Sequence, residues 1–325
     1  MAKNIAVIGG GNSGERDISL QSLQNVCNAL DKNKFNVYKF VLTGSYIECQ
    51  LEEGNAAVDL NDFSFIQNHK RVTIDFVFNV IHGTPGENGY LQGLLEILKI
   101  PYNSSNVLTS AVTFNKAWTK RFLHDLKHVH FAKSVVVDSI TPDVFDAIES
   151  ALGFPCFVKP NKGGSSVGIS RVDTKEELEK ALTSALSEDD EIIIEEYIKG
   201  TEITCGVSIV DGAPKAIGIT EIVFTTHFFD FNAKYTDKTT QEITPARISE
   251  DLYKRCEMVS EQIFTLFECK SFARIDYIIK DEKLYFIEVN TIPGMTNASL
   301  IPQHFDYQKI NLTNYFSNLI DYYGN

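Results

Sequence analysis

The chain has 325 residues with 43% hydrophobic and 22% charged side chains, the balance of an ordinary soluble protein with room for two or three domains. A net charge of −13 argues against a nucleic-acid surface, and no apolar run approaches the ~20 residues that span a bilayer, so neither nucleic acid nor membrane is an expected partner. Six cysteines without a CxxC pair point away from zinc and from a disulfide framework; with an N-terminus, MAKNIAVIGG, that runs almost directly into a strand, they fit a reducing cytoplasm.

Residues 4–10 read as an apolar strand ending in glycines, followed by a helix with Leu23, Val26, Cys27 and Leu30 at helical spacing. Phe35–Leu42 and Val72–Ile81 read as further strands and Gly89–Lys99 as a helix, an alternation that predicts a doubly wound α/β unit. Asn115–Leu126 reads as a connecting helix. Gly9, Gly11 and Gly14 form a G-x-G-x-x-G, but the second strand ends Val41-Leu42-Thr43 without the acid that would hold a ribose. Nicotinamide binding is therefore the weaker reading, and a steric strand–helix turn serves as well. Glu15 and Arg16 are better placed to meet a small polar substrate over the strand ends. His82 follows the third strand, where open α/β sheets bind ligands, or else is a hydrogen-bonded loop histidine; Glu87, opposite Arg16 or His82, reads equally as purely structural.

From about residue 133, short strands at Ser134–Val137, Cys156–Val158 and Ile192–Glu195 enclose a helix that a Thr174/Glu177 capping box opens. Lys159 ends one strand, and the Gly- and Ser-rich Asn161–Gly168 with Lys162 suits phosphate oxygens better than it suits a linker. Glu195 and Glu196 close the next strand, either solvated or gripping an adenine or ribose. Residues 220–247 lack any period and read as a long lid loop. Ser249–Phe267 is a strong amphipathic helix, and Leu312–Tyr323 carries a final apolar stripe.

Between those helices, Phe272–Ile279 and Leu284–Asn290 form a hairpin whose strands carry Arg274 and Asp276, and Glu288 and Asn290, each pair at spacing two. With an odd number of loop residues, Asp276 falls opposite Glu288 and Arg274 opposite Asn290. Alone, these four fit a solvated face with a salt bridge; beside a phosphate loop they fit an all-oxygen Mg²⁺ site that shares its ion with substrate phosphates.

Taken together, GGGNSGERDISL, HGTPGENGYLQG, KPNKGGSSVGIS, FNAKYTD, ARIDYII and FIEVNTIPGMTNASL resemble the D-alanine–D-alanine ligases of the ATP-grasp superfamily, in that family's order and over essentially the whole chain. The resemblance implies an α/β fold of three domains. These are an N-terminal doubly wound parallel sheet (1–114), a central ATP-grasp domain (115–205) and a C-terminal catalytic domain (206–325) with the lid at 220–247, ATP lying between the last two. It implies ATP as co-substrate, D-alanine as substrate, two Mg²⁺ ions replaceable by Mn²⁺, a homodimer, and an acyl-phosphate route to the dipeptide for cell-wall synthesis. By the same resemblance Lys116, Lys159 and Lys234 meet the nucleotide phosphates, and Glu195, Glu196, Ile198 and Glu202 the adenosine. Asp276, Glu288 and Asn290 hold the metal. Arg274 and the Gly294 N–H form an oxyanion hole, Glu15 with His82 nearby holds the first substrate, and Ser299 and Leu300 meet the second. Ser165 and Tyr235 join Glu15 in locking the lid, and the Lys234-Tyr235 pair matches dipeptide-forming ligases over those joining D-lactate. Asn88, where the family often has aspartate, and Lys162, where arginine is common, depart from the pattern without removing a catalytic group.

Overall fold

The computed structural model describes residues 2–164, 167–223 and 240–324. Its first sheet uses β1 (Lys3–Gly10), β2 (Phe35–Thr43), β3 (Tyr46–Gln50) and β4 (Ala56–Ala57), with a two-stranded ribbon of β5 (Phe65–Gln67) and β6 (Lys70–Val72) beside it and β7 (Phe76–Asn79) completing it in the order β4-β3-β2-β1-β7. Strands β2, β1 and β7 are parallel, as their apolar runs predict, while β3 and β4 add an antiparallel edge on the other side. Helices α1 (Arg16–Ala29) and α2 (Tyr90–Ile97) belong to this unit. The glycine turn after β1 is steric: Gly10 has φ +92, and a Cβ there would lie 2.5 Å from the Leu42 carbonyl oxygen.

Two short helices, α3 (Val107–Phe114) and α4 (Lys116–Phe122), lead to β8 (Val129–Phe131). The next unit contains β9 (Ser134–Val137), α5 (Pro142–Leu152), β10 (Cys156–Pro160), β11 (Ser170–Val172), α6 (Leu178–Leu186) and β12 (Ile192–Glu196), with an all-antiparallel sheet ordered β11-β10-β12-β9. The expected capping box is not made. Glu177 accepts from the Asp173 N–H at 2.8 Å and Thr174 provides no side-chain cap, because a 3-10 turn at Lys175–Glu177 precedes the α-helix.

The third unit holds β13 (Thr201–Val210), β14 (Ala213–Val223), β15 (Gln241–Ile243), α7 (Glu250–Leu266), β16 (Phe272–Lys280), β17 (Lys283–Asn290), α8 (Leu300–Tyr307) and α9 (Leu312–Tyr323). Its six-stranded sheet runs β15-β14-β13-β16-β17-β8, so β8 joins as a parallel edge from far back in the chain. The long loop expected over 220–247 is shorter than that: 220–223 continue β14, 241–243 form β15, and 224–239 lie outside the described residues. α7 is capped by Ser249, whose hydroxyl accepts from the Leu252 N–H, and buries Leu252, Cys256, Val259 and Ile263 on one face of the sheet. There they meet Ile203, Cys205, Val207, Ala273, Ile275 and Tyr277, every second residue of β13 and β16. The alternate residues face the other way. α8 and α9 pack Ile301, Phe305, Phe316 and Ile320 against Ile5, Val7, Phe76 and Phe78, so the first and last units share a core.

Candidate active site

The face of the third sheet opposite α7 carries three rows of side chains across β14, β13, β16 and β17. They are Ile222–Glu202–Ile278–Tyr285, then Thr220–Thr204–Asp276–Glu288, then Gly218–Gly206–Arg274–Asn290. The cross-strand pairs expected for the hairpin are present, but by another route. The turn between Lys280 and Lys283 has two residues, Asp281 and Glu282, both at positive φ, and by itself would pair Asp276 with Ile287. A bulge shifts the register between Asp276 and Tyr277, leaving Ile287 unpaired. Leu284 and Phe286 thus face the core before the bulge and Val289 after it, which turns Glu288 and Asn290 onto the same face as Asp276 and Arg274.

These rows form one wall of a cleft with two lobes. The first lies against β10 and β12 and is lined by Phe157, Lys159, Val167, Ile169, Glu195, Glu196, Ile198 and Tyr285. The second reaches the first unit and is lined by Glu15, His82, Glu87, Arg274, Asn290, Gly294, Ser299 and Leu300. Lys116, Gly163, Gly164, Glu202, Asp276 and Glu288 line both lobes. An apolar compartment and a polar one therefore meet at three carboxylates and a lysine. Ser165, Lys234 and Tyr235 lie outside the described residues.

Electrostatics organise each lobe. Glu195 is buried, not a solvated strand end: it pairs with Lys120 through one oxygen and with Lys159 through the other at 2.6 Å. Burial alone would raise its carboxyl, but Lys159 and Lys120 bring it down to about 2. Lys120 was not singled out from sequence, although it stands one helical turn after Lys116 and so on the same face of α4. Lys116 Nζ donates to the Gly163 carbonyl at 2.7 Å.

Two residues expected at the phosphate loop do other work. Asn161 is fully buried and bonds Asn115, Ala117 and Glu191, fastening the loop to α4. Lys162 turns to Asp189 and Asp190 and does not line the cleft.

In the second lobe, Arg274 donates from Nε and Nη2 to Asp276 at 2.9 Å each, and Thr204 donates to the same carboxylate at 2.5 Å. Thr204 was also missed, having no local signal in a run of strand residues. His82 is buried with no hydrogen-bond partner at Nε2, and burial pushes its pKa down. Glu87 accepts from the Gly83 N–H at 2.6 Å, and burial followed by the Glu15 charge pushes its carboxyl up to about 8. Arg16 instead donates to Thr43 and does not line the cleft, whereas Glu15 does. Ser299 Oγ accepts from the Thr296 N–H at 3.0 Å, and a Cβ on Gly294 would lie 2.6 Å from that oxygen, so a side chain at 294 would displace this hydroxyl.

A four-stranded antiparallel sheet facing a larger sheet across a cleft of this kind defines an ATP-grasp ligase. Family models described as D-ala D-ala ligase N-terminus and D-ala D-ala ligase C-terminus match residues 4–105 and 123–321. A D-alanine–D-alanine ligase of Phocaeicola vulgatus is 40% identical over 323 residues, 99% of each chain. Among solved structures, D-alanyl-alanine synthetase A from Vibrio cholerae matches with a TM-score of 0.90 at 26% identity, covering 99% of this chain and 98% of its own. The D-alanine–D-alanine ligase of Bacillus anthracis complexed with ATP matches at 0.77 and 31%, covering 99% and 97%. The chain belongs to the D-alanine–D-alanine ligase family.

Proposed function

We propose that this protein joins two molecules of D-alanine at the expense of ATP, supplying a dipeptide precursor of peptidoglycan. The observation that carries the reading is the meeting of the two lobes at Asp276, Glu288 and Lys116, where a nucleotide in the apolar lobe points its last phosphate at an amino acid in the polar one. A carboxylate oxygen of the first D-alanine attacks the γ-phosphorus, the bond to ADP breaks, and an acyl phosphate forms. The amine of the second D-alanine attacks the acyl carbon and loses its proton, and inorganic phosphate leaves.

Both steps bring anionic groups together, so the protein's work is positioning and charge neutralisation. Lys116, Lys159 and Lys234 face the phosphates, and Glu195, Glu196, Ile198 and Glu202 the adenosine. Glu15 meets the first ammonium with His82 beside it. Arg274 and the Gly294 N–H take the oxyanion, Ser299 and Leu300 meet the second carboxylate, and Ser165 and Tyr235 with Glu15 close the site.

Asp276, Glu288 and Asn290 fit Mg²⁺: the donors are all oxygen and lie in adjacent rows. Among the described residues no three His, Cys, Asp or Glu side chains form a metal cluster. Mg²⁺ commonly completes its shell with water and substrate phosphate rather than in a protein cage. When bound, Mg²⁺ supplies charge neutralisation between the phosphates; we propose two such ions, with Mn²⁺ able to substitute. We also propose the three-domain division at 114 and 205, a homodimer and a cytoplasmic location. Among the described residues no helix is long and apolar enough to cross a membrane.

Purified protein with ATP, Mg²⁺ and D-alanine is expected to release phosphate and form D-alanyl-D-alanine, with D-lactate a poor acceptor. No phosphate release with any amino or hydroxy acid tried would overturn the reading. Within it, Arg274→Ala is expected to lower kcat by about 10²–10³-fold, the loss typical of an oxyanion donor; an unchanged kcat would remove Arg274 from that role.

A further inference from the structure

His304 lies on α8, four residues beyond Leu300, and is fully buried. Its imidazole enters a slot in the neighbouring sheet where Gly206 of β13 pairs with Gly218 of β14. Both glycines are required by the ring. A Cβ on Gly206 would lie 2.3 Å from Nδ1, and one on Gly218 would lie 2.7 Å from Cδ2. Nε2 is 2.7 Å from the Thr220 hydroxyl, which is itself 2.5 Å from the Thr244 hydroxyl, while Nδ1 has no partner.

The hydrogen count favours one arrangement. An Nε2–H that donates to Thr220, whose own hydroxyl donates to Thr244, leaves an acceptor lone pair orphaned at Nδ1 and not a donor. The ring is then neutral, in keeping with a pKa that burial, then the nearby Arg274 charge, lowers to about 4.

The contact matters because of what lies at its two ends. Thr220 begins the row that continues through Thr204 and Asp276 to Glu288, and Gly218 and Gly206 begin the row of Arg274 and Asn290. On the other side, Ser299 and Leu300 form the start of α8 and line the polar lobe. One side chain thus ties the helix to both reactive rows by shape and by a directed hydrogen bond.

We infer that His304 is a positioning residue for the second substrate, setting the distance and rotation of the Ser299–Leu300 helix start relative to Arg274 and Asp276. The inference rests on the ligase reading above. It assigns His304 no contact with substrate. A helix that slides by about 1 Å misaligns the attacking amine, an error large enough to cost up to 10²-fold in rate or apparent affinity.

The test measures dipeptide formation over a wide D-alanine range, fitting the donor and acceptor sites separately, for the unaltered protein and for H304A, H304Q and T220V. H304A is expected to raise the acceptor KM by tenfold or more while the donor KM and the KM for ATP stay within threefold. H304Q, which restores a donor near the Nε2 position, is expected to recover most of that loss. T220V keeps the volume and fold but lacks the hydroxyl, and is expected to raise the acceptor KM by threefold or more. Acceptor KM values unchanged in folded H304A and T220V, or equal rises at both D-alanine sites, would overturn this inference while leaving the ligase reading intact. Absence of ligation by the unaltered protein would overturn both.

Discussion

Asp276→Asn is expected to lower D-alanine-dependent phosphate release by roughly 10³-fold while the protein stays folded. The substitution preserves volume and leaves an oxygen to accept from Thr204, so packing of the middle row survives. What it removes is one of the two facing carboxylates and the countercharge that Arg274 grips with two hydrogen bonds. Both reactive steps are affected, because charge neutralisation at the phosphates and placement of the guanidinium depend on the same carboxylate. A continuous phosphate assay across a Mg²⁺ titration, with a circular-dichroism melt, checks the result. Turnover within a few-fold of normal would take Asp276 out of the reactive centre.

The largest effect on stability is expected at Glu195. Glu195→Gln leaves the buried Lys120 and the largely buried Lys159 without their shared countercharge, and the loss is expected to be about 3–5 kcal/mol at neutral pH. The pH dependence has a definite sign. The native carboxyl sits at about 2 against an ordinary 4.5, so its stabilisation is complete above pH 4.5 and fades as pH falls toward 2. That shift corresponds to about 3 kcal/mol, which Gln cannot supply at any pH. Urea unfolding of both proteins at pH 7 and at pH 3.5 should give a gap that narrows in acid. A gap that is small at pH 7, or independent of pH, would show that the triad does not fasten α4 to β10 and β12.

Much of the scaffold is legible in the amino-acid sequence because its signals are local. The stripe of Leu252, Cys256, Val259 and Ile263, with Ser249 before it, specifies α7 and its buried face, since side-chain spacing and a cap are properties of neighbouring residues. The apolar runs of β1, β2 and β7 specify a buried parallel core for the same reason. The long resemblance adds the family's order of motifs, and the described candidate residues do gather along one cleft.

Other features have no local signal. Whether Glu288 faces Asp276 turns on one bulged residue, Ile287, and a strand of alternating residues reads equally well in either register. The Gly- and Ser-rich loop reads in sequence as a phosphate loop, yet its first members, Asn161 and Lys162, are taken by α4 and by Asp189 and Asp190. The lysine that completes the Glu195 triad, the threonine that holds Asp276 and the glycine slot for His304 join residues 75, 72, 98 and 86 positions apart, all too distant to leave a periodicity.

For this protein the amino-acid sequence by itself determined many of the elements, the polar residues available on the hairpin and the family to which they belong. The tertiary structure alone decided which of those residues share a face and which charges neutralise one another. Periodicity is set within a turn or two of chain, whereas a cleft wall is a cross-strand row, fixed by register, one bulge and the packing of segments far apart in sequence.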